Sequence, residues 1–239
     1  KSGVITGVSF DPMRAVGVCA AAQPRAGRRF LFYQNRAMMR RMNRPLIIAT
    51  VAEKGAGKGL FIRLVRRLLP GKKVVSVRFS DIWREILHLL DQEESRENIS
   101  NLATAIRALF HNDGILVGAT ARRLTDIDAD IIILDGLRKE EEIKPLVREH
   151  GGLLVYIAAS AETRFARRRE HAETTDERGM DWEQFIHQEN LAPESTIRHI
   201  GETMADATIE NNGTTEEFES QIKQFLDSFV RPKFSTTSI

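Results

Sequence analysis

Residues 55–59, Gly-Ala-Gly-Lys-Gly, set one lysine among three glycines just after the apolar run "PLIIATVA" at 45–52. A glycine-rich turn that leaves a buried strand and opens a helix aims successive backbone N–H groups, and the helix's positive end, at one point. That is chemistry for phosphate oxyanions, and Lys58 adds a point charge for the β- and γ-phosphates of a nucleotide. Lys54, Gly55, Ala56, Gly57, Lys58, Gly59 and Leu60 are therefore the candidate binding loop. Asp81 and Arg84 stand three apart in "FSDIWRE" (79–85), so on a helix they share a face, for a ligand or for a surface ion pair with each other. Asp135 closes the run "ADIIILDG" (129–136), where an unpaired buried carboxylate is costly and must serve a bound group or cap the next helix. Arg138 follows. "TRFARRRE" (163–170) adds Arg164, Arg167, Arg168 and Arg169, which spread around a helix and cannot all aim at one ligand.

The elements that must position these groups alternate strand and helix from residue 45. "PLIIATVA" is continuous and β-branched, as a strand buried on both faces should be. Leu60, Leu64, Val65, Leu68 and Leu69 then recur at helical spacing and stop at Pro70-Gly71. Strands follow at 73–79, 129–136, 153–159 and 207–211. Helices fall at 81–90, after a Ser95 cap, at 115–124, at 140–150, at 161–170, at 182–188, at 193–200 and at 215–230, with a polar loop at 171–180. Five strands separated by helices predict an α/β fold: a five-stranded parallel sheet with helices on both faces, plus a small helical lid around 160–190. Asn212-Gly213 is the turn from the last strand into the last helix.

Gly57-Lys58-Gly59, with glycine where P-loop proteins usually carry Ser or Thr, resembles the adenylate-kinase-type nucleoside monophosphate kinases. Ala52 replaces the first glycine of that pattern, and Leu60 stands where the family has Thr, which leaves magnesium held mainly by phosphates and water. The resemblance runs from about residue 46 to 230 and extends to the dephospho-CoA-kinase-like group through "SRENISNLATAIRALFHNDG", the Asp135-Gly-x-Arg138 segment, "DWEQF" and "ADATIENNGT". It implies that Arg84 grips an acceptor phosphate, that Asp135 orients the waters of Mg2+, and that Arg138 contacts the acceptor. Arg167 and Arg164 would be the lid arginines that clamp the transferring phosphoryl group. Later lid arginines of the family are replaced here by His171 and Glu173, or displaced to Arg178. The backbone at Asn212 and Gly213 would border adenine.

Composition narrows the class. Cys19 is the only cysteine, which rules out an internal disulfide framework and fits a reducing, cytoplasmic setting. No apolar run approaches the 18 or so residues of a membrane helix. The net charge of +2 hides an asymmetry: residues 1–44 hold nine Lys or Arg and a single acid, Asp11, whereas the remainder holds 26 bases and 32 acids. A basic leader of this kind suits a transit peptide or a nucleic-acid arm. With Met38, Met39 and Met42 just before the first strand, it is read instead as an extension that is disordered or no part of the natural protein. Residues 45–239 are one domain, too acidic for a nucleic-acid partner, and a monomer or weak homo-oligomer.

The functional expectation is an ATP- and Mg2+-dependent phosphotransferase acting on a small phosphorylated acceptor, a nucleoside monophosphate first. A second reading is a dephospho-CoA kinase, in which Asp81 is the general base for a ribose hydroxyl. The third is a regulatory nucleotide-binding protein with little turnover, favoured by Leu60 and the thinned lid.

Overall fold

A computed structural model of the chain describes residues 44–170, 181–190 and 192–235. The chain divides into Lys1–Met42 and Asn43–Ile239, and the described residues all belong to the second unit. The basic extension, Arg44 apart, lies outside them.

Strands β1 (Leu46–Val51), β2 (Val74–Arg78), β3 (Ile131–Asp135), β4 (Leu153–Ala158) and β5 (Ala207–Glu210) form one sheet. Its order is β2-β3-β1-β4-β5, and every pairing is parallel. The five-stranded parallel sheet with helices on both faces is as the alternating pattern predicts. β1, β3 and β4 sit inside the sheet, which is why their sequences are apolar without alternation, whereas the edge strands β2 and β5 show half-buried positions. The chain steps outward from β1 to β2, then crosses back to β3 and over β1 to β4 and β5. Ligands in open α/β sheets bind beyond the carboxyl ends of the strands at such a reversal.

The helices divide between the two faces of the sheet. On one face, α1 (Lys58–Leu68) and α9 (Thr215–Phe225) pack Phe61, Leu64, Val65, Phe218, Ile222 and Phe225 onto Ile48, Ile133 and Val155. On the other, α2 (Asp81–Leu89), α3 (Arg96–Phe110), α4 (Ile115–Asp126), α5 (Glu140–Leu146) and the later helix α8 (Ala192–Met204) bury Trp83, Ala103, Leu116, Ile143 and Ile200 against Ile47, Ala49, Ile132 and Leu134. Neighbouring residues of one strand thus feed opposite layers, the period of two of a strand buried on both sides. Between β4 and α8 lie α6 (Ala161–Glu170) and α7 (Trp182–Glu189), and α10 (Arg231–Ser235) ends the described chain.

Element boundaries differ from expectation where a local rule is overridden. The helix expected over 140–150 stops at Leu146, after Pro145, and tightens into a 3-10 turn at Arg148–His150 before Gly151 at φ 63°. The helix expected over 193–200 runs on to Met204, because Gly201 is not a stop: its missing side chain admits the Tyr156 ring, which a Cβ would meet at 2.4 Å. The final helix passes through a π-helical turn at Leu226–Val230 before α10. Ser95 caps α3 as expected, accepting the Asn98 N–H at 3.1 Å. The polar loop at 171–180 lies outside the described residues.

Candidate functional site

The loop from Ala52 to Gly57 joins β1 to α1 at the carboxyl edge of the sheet, and its glycines are fixed by geometry. Gly57, the residue before α1, has φ 107°, and a Cβ there would stand 2.2 Å from Asn211 Nδ2. Gly55 has φ 81° and faces the Arg164 backbone, whose carbonyl oxygen a Cβ would meet at 3.0 Å. Both positions demand left-handed backbone and close approach at once. The loop closes on itself through the Ala56 N–H, which donates to Glu53 O at 3.2 Å. Asn211 holds it from outside: its Nδ2 donates to Ala56 O at 2.8 Å, and its own N–H donates to Ala158 O at 2.8 Å. Gly59 is exposed, Lys54 half-buried, and Leu60 leans on the core beneath α1.

Lys58, the first residue of α1, reaches back across this loop. Its Nζ lies 3.3 Å from Ala52 O and 3.7 Å from Asp135 Oδ1. Asp135 ends β3, beside Thr50 of β1 and Arg78 of β2, so the sheet register brings lysine and carboxylate together. Asp135 Oδ1 is buried without a hydrogen-bond donor, and so is Thr50 Oγ1. Asp135 does not cap α5. That role falls to Glu142, which accepts the N–H groups of Arg138 at 2.8 Å and Lys139 at 3.1 Å while burial raises its carboxyl above the usual range. Among the described residues no group of three or more His, Cys, Asp or Glu is placed to hold a metal. A single carboxylate whose Oδ1 accepts no hydrogen bond suits Mg2+, which keeps its waters and takes the rest of its shell from phosphates.

Asp81 and Arg84 do not pair with each other. Asp81 Oδ2 accepts the Arg78 N–H at 2.9 Å, tying the end of β2 to the start of α2. Arg84 Nη1 lies 3.2 Å from Glu94 Oε2, and its Nε is buried with no hydrogen-bond acceptor. Arg107 Nε on α3 is buried in the same condition, and it was not anticipated. Arg138 is exposed just after β3, and among the described residues its guanidinium has no partner.

The arginines of α6 divide in their roles. Arg167 Nη2 donates to Asn211 Oδ1 at 3.2 Å, its Nη1 is buried and unpaired, and desolvation lowers its pKa. It is therefore held at the loop by the same asparagine that holds Ala56. Arg164, expected on the nucleotide, is turned inward: it is 1% exposed, donates Nε–H to Ala159 O at 3.0 Å and is paired with Glu189. Arg168 and Arg169 lie over the rings of Phe185 and Phe165. Asn212 Oδ1 accepts the Ser160 N–H at 2.7 Å, and Gly213 precedes Thr214, which caps α9 with Glu217 in a reciprocal pair. His171, Glu173 and Arg178 lie outside the described residues.

Sequence reasoning missed a buried charge cluster behind the loop. Glu53, 2% exposed, accepts the Tyr156 hydroxyl at 3.0 Å and Arg198 Nε–H at 3.2 Å, and Arg164 Nη2 lies 4.0 Å away. Glu189 closes the ring, paired with Arg164 and 3.7 Å from Arg198 Nη2. The available signal was a lone carboxylate inside a glycine-rich loop directly after a buried strand. Its partners are 103 and 145 residues away in the chain, beyond the reach of any local pattern.

No protein-family profile matches the chain. It is similar to a UPF0200 protein of Hyperthermus butylicus, 27% identical over 181 residues that cover 76% of this chain and 93% of that protein. A UPF0200 protein of Methanosarcina barkeri is 25% identical over 189 residues, covering 77% and 96%. Among solved structures, a gluconokinase from Sinorhizobium meliloti is similar with a TM-score of 0.49 and 11% identity, over 82% of this chain and 99% of that one. A shikimate kinase from Acinetobacter baumannii in complex with shikimate gives a TM-score of 0.48 and 17% identity, over 81% and 97%.

Proposed function

We propose that this protein is an ATP-dependent phosphotransferase that acts on a small phosphorylated acceptor, a nucleoside monophosphate first. The observation that carries the reading is the Lys58–Asp135 juxtaposition at 3.7 Å, beside a loop whose Gly55 and Gly57 take left-handed backbone at the carboxyl edge of the sheet. The phosphates of ATP bind across the N–H groups of the loop and α1, with Lys58 on the β- and γ-phosphates. Mg2+, when bound, neutralises phosphate charge, and Asp135 holds its waters. Arg167, held at the loop through Asn211, offers its unpaired Nη1 to the transferring group. An acceptor oxygen attacks the γ-phosphorus in line, and the bond to the oxygen that leaves with ADP breaks. The protein supplies position and positive charge, the greater part of what this chemistry needs.

The acceptor side is cationic. Arg84 and Arg107 each keep a buried nitrogen donor without an acceptor, and Arg138, three residues after Asp135, is exposed with no guanidinium partner among the described residues. Buried donors left open in a native fold call for a bound partner, and a phosphate supplies several oxygens at once. This arrangement favours a phosphorylated acceptor over a ribose hydroxyl, because Asp81 already accepts a backbone N–H and helps define the start of α2. A coupled assay of ADP release across the nucleoside monophosphates, their deoxy forms and dephospho-CoA tests the reading. Turnover with a monophosphate supports it. Turnover with dephospho-CoA alone replaces it with the hydroxyl-acceptor reading, and ATP binding without any acceptor-dependent turnover leaves a regulatory nucleotide-binding protein.

A further inference from the structure

Glu53 occupies an unusual position for a carboxylate. It is the second residue after β1, within the loop, yet its side chain points away from the phosphate edge into the protein and is 2% exposed. There it meets one group from each of three elements: the Tyr156 hydroxyl from β4 at 3.0 Å, Arg198 from α8 at 3.2 Å, and Arg164 from α6 at 4.0 Å. Glu189 of α7 joins the two arginines from the far side. Two carboxylates and two guanidiniums balance, which is the condition under which such charges persist in an interior.

A neutral cluster of this kind contributes little to net stability compared with apolar packing, but it fixes geometry, because each member is costly to leave unpaired. Here it fixes α6 against the loop. Arg164 touches the loop by two routes, through its guanidinium to Glu53 and through its backbone, which walls Gly55. Three residues on, and so on the same side of the helix, Arg167 reaches Asn211, the residue that also holds Ala56 O. The inward anchor at Arg164 therefore determines where Arg167 places its unpaired Nη1.

We propose that Glu53 is a positioning residue: through Arg164 and Arg198 it clamps α6 to the phosphate loop and so aims Arg167 at the bound phosphates. The inference rests on the nucleotide reading above and deepens it. Glu53 touches no reacting atom. Its effect is exerted through Arg167, and that makes it separable from simple support of the fold.

The test is a double-mutant cycle on the affinity of full-length protein for a fluorescent ATP analogue with Mg2+, using Glu53→Gln, Arg167→Ala and the combination, with melting temperature followed in parallel. Each single change is expected to weaken binding about tenfold, and the double change little more than one of them, a coupling within the roughly two- to hundredfold range seen for interacting residues. A structural role for Glu53 lowers melting temperature but leaves the two effects on affinity multiplicative, and that result overturns the proposal, as does unaltered affinity in Glu53→Gln. Where Glu53→Gln fails to fold, Arg198→Gln, whose side chain is 41% exposed, enters the same cycle with the same expectation. Absence of binding by the unaltered, folded protein is a different result: it overturns the nucleotide reading, and the inference falls with it.

Discussion

Lys58 makes its polar contacts with a carbonyl oxygen and a carboxylate and belongs to neither apolar cluster, so its role separates from folding. Lys58→Ala is expected to lose about 10²- to 10³-fold in turnover, the usual cost of removing one preorganised charge from a transition state, with melting temperature almost unchanged. Near-normal turnover in a steady-state ADP-release assay counts against phosphate binding at this loop. Asp81 and Arg84 separate the acceptor classes. A phosphate acceptor is already nucleophilic at pH 7 and needs its charge brought against that of ATP. Arg84→Ala then raises acceptor KM and lowers kcat, whereas Asp81→Asn keeps an oxygen able to accept the Arg78 N–H and costs less. A hydroxyl acceptor reverses the order, since loss of a general base costs about 10²- to 10⁴-fold. The ratio of kcat/KM for the two variants decides, and a larger loss in Asp81→Asn selects the hydroxyl acceptor.

At the scale of elements, β4 and α8 meet the loop through Tyr156. Its ring packs where Gly201 leaves room, and its hydroxyl donates to Glu53. Burial, then the Glu53 carboxylate, holds the phenol well above its usual range. A group whose pKa is raised on folding contributes stability that is fully present below its unfolded value, about 10 for tyrosine, and is lost as pH rises beyond it. Tyr156→Phe is therefore expected to cost about 1–3 kcal/mol at pH 8, the loss of a hydrogen bond to a charged group. Above pH 10 that deficit shrinks by up to about 1.4 kcal/mol per pH unit, because the phenylalanine has no proton to release on unfolding. Urea unfolding from pH 8 to 11 measures it, and a constant deficit across the range refutes the linkage. The same elements mark what a sequence can disclose. Strand order along the chain, the loop at Gly55–Gly59, the end of β3 at Asp135 and the Ser95 cap all follow from local pattern, since each is decided by residues within a few positions. Three features were hidden by a common cause. Arg164 turns inward, Asn211 rather than Asn212 holds the loop, and Glu53 gathers three partners. Each depends on pairings between distant segments, and the spacing of residues in one helix carries no trace of them.

At the scale of the whole molecule, every strand and both apolar layers among the described residues come from residue 46 onward. At the start of β1 the Leu46 N–H donates to Asp130 O, just before β3, at 2.9 Å. The described secondary structure and the candidate site thus draw on residues from β1 onward. A protein comprising residues 44–239 is expected to unfold cooperatively at the melting temperature of the full chain. Its net charge falls from +2 to −5, because residues 1–43 carry eight Lys or Arg and one acid. Electrostatics offer a sharper comparison than stability alone, since a basic extension can lend a polyphosphate nonspecific affinity that mimics a site. Ligand linkage distinguishes the two. MgATP at about a hundred times its dissociation constant adds roughly 2.7 kcal/mol to a folded protein that binds it at one site. For a domain of this size that is a rise in melting temperature of roughly 5–10 °C. The shift is expected to be equal in the full chain and in residues 44–239, to persist at 0.3 M salt in both, and to vanish in Lys58→Ala. A shift confined to the full chain, or abolished by salt, places the nucleotide on the basic extension and removes the loop at Gly55–Gly59 from the function of the protein.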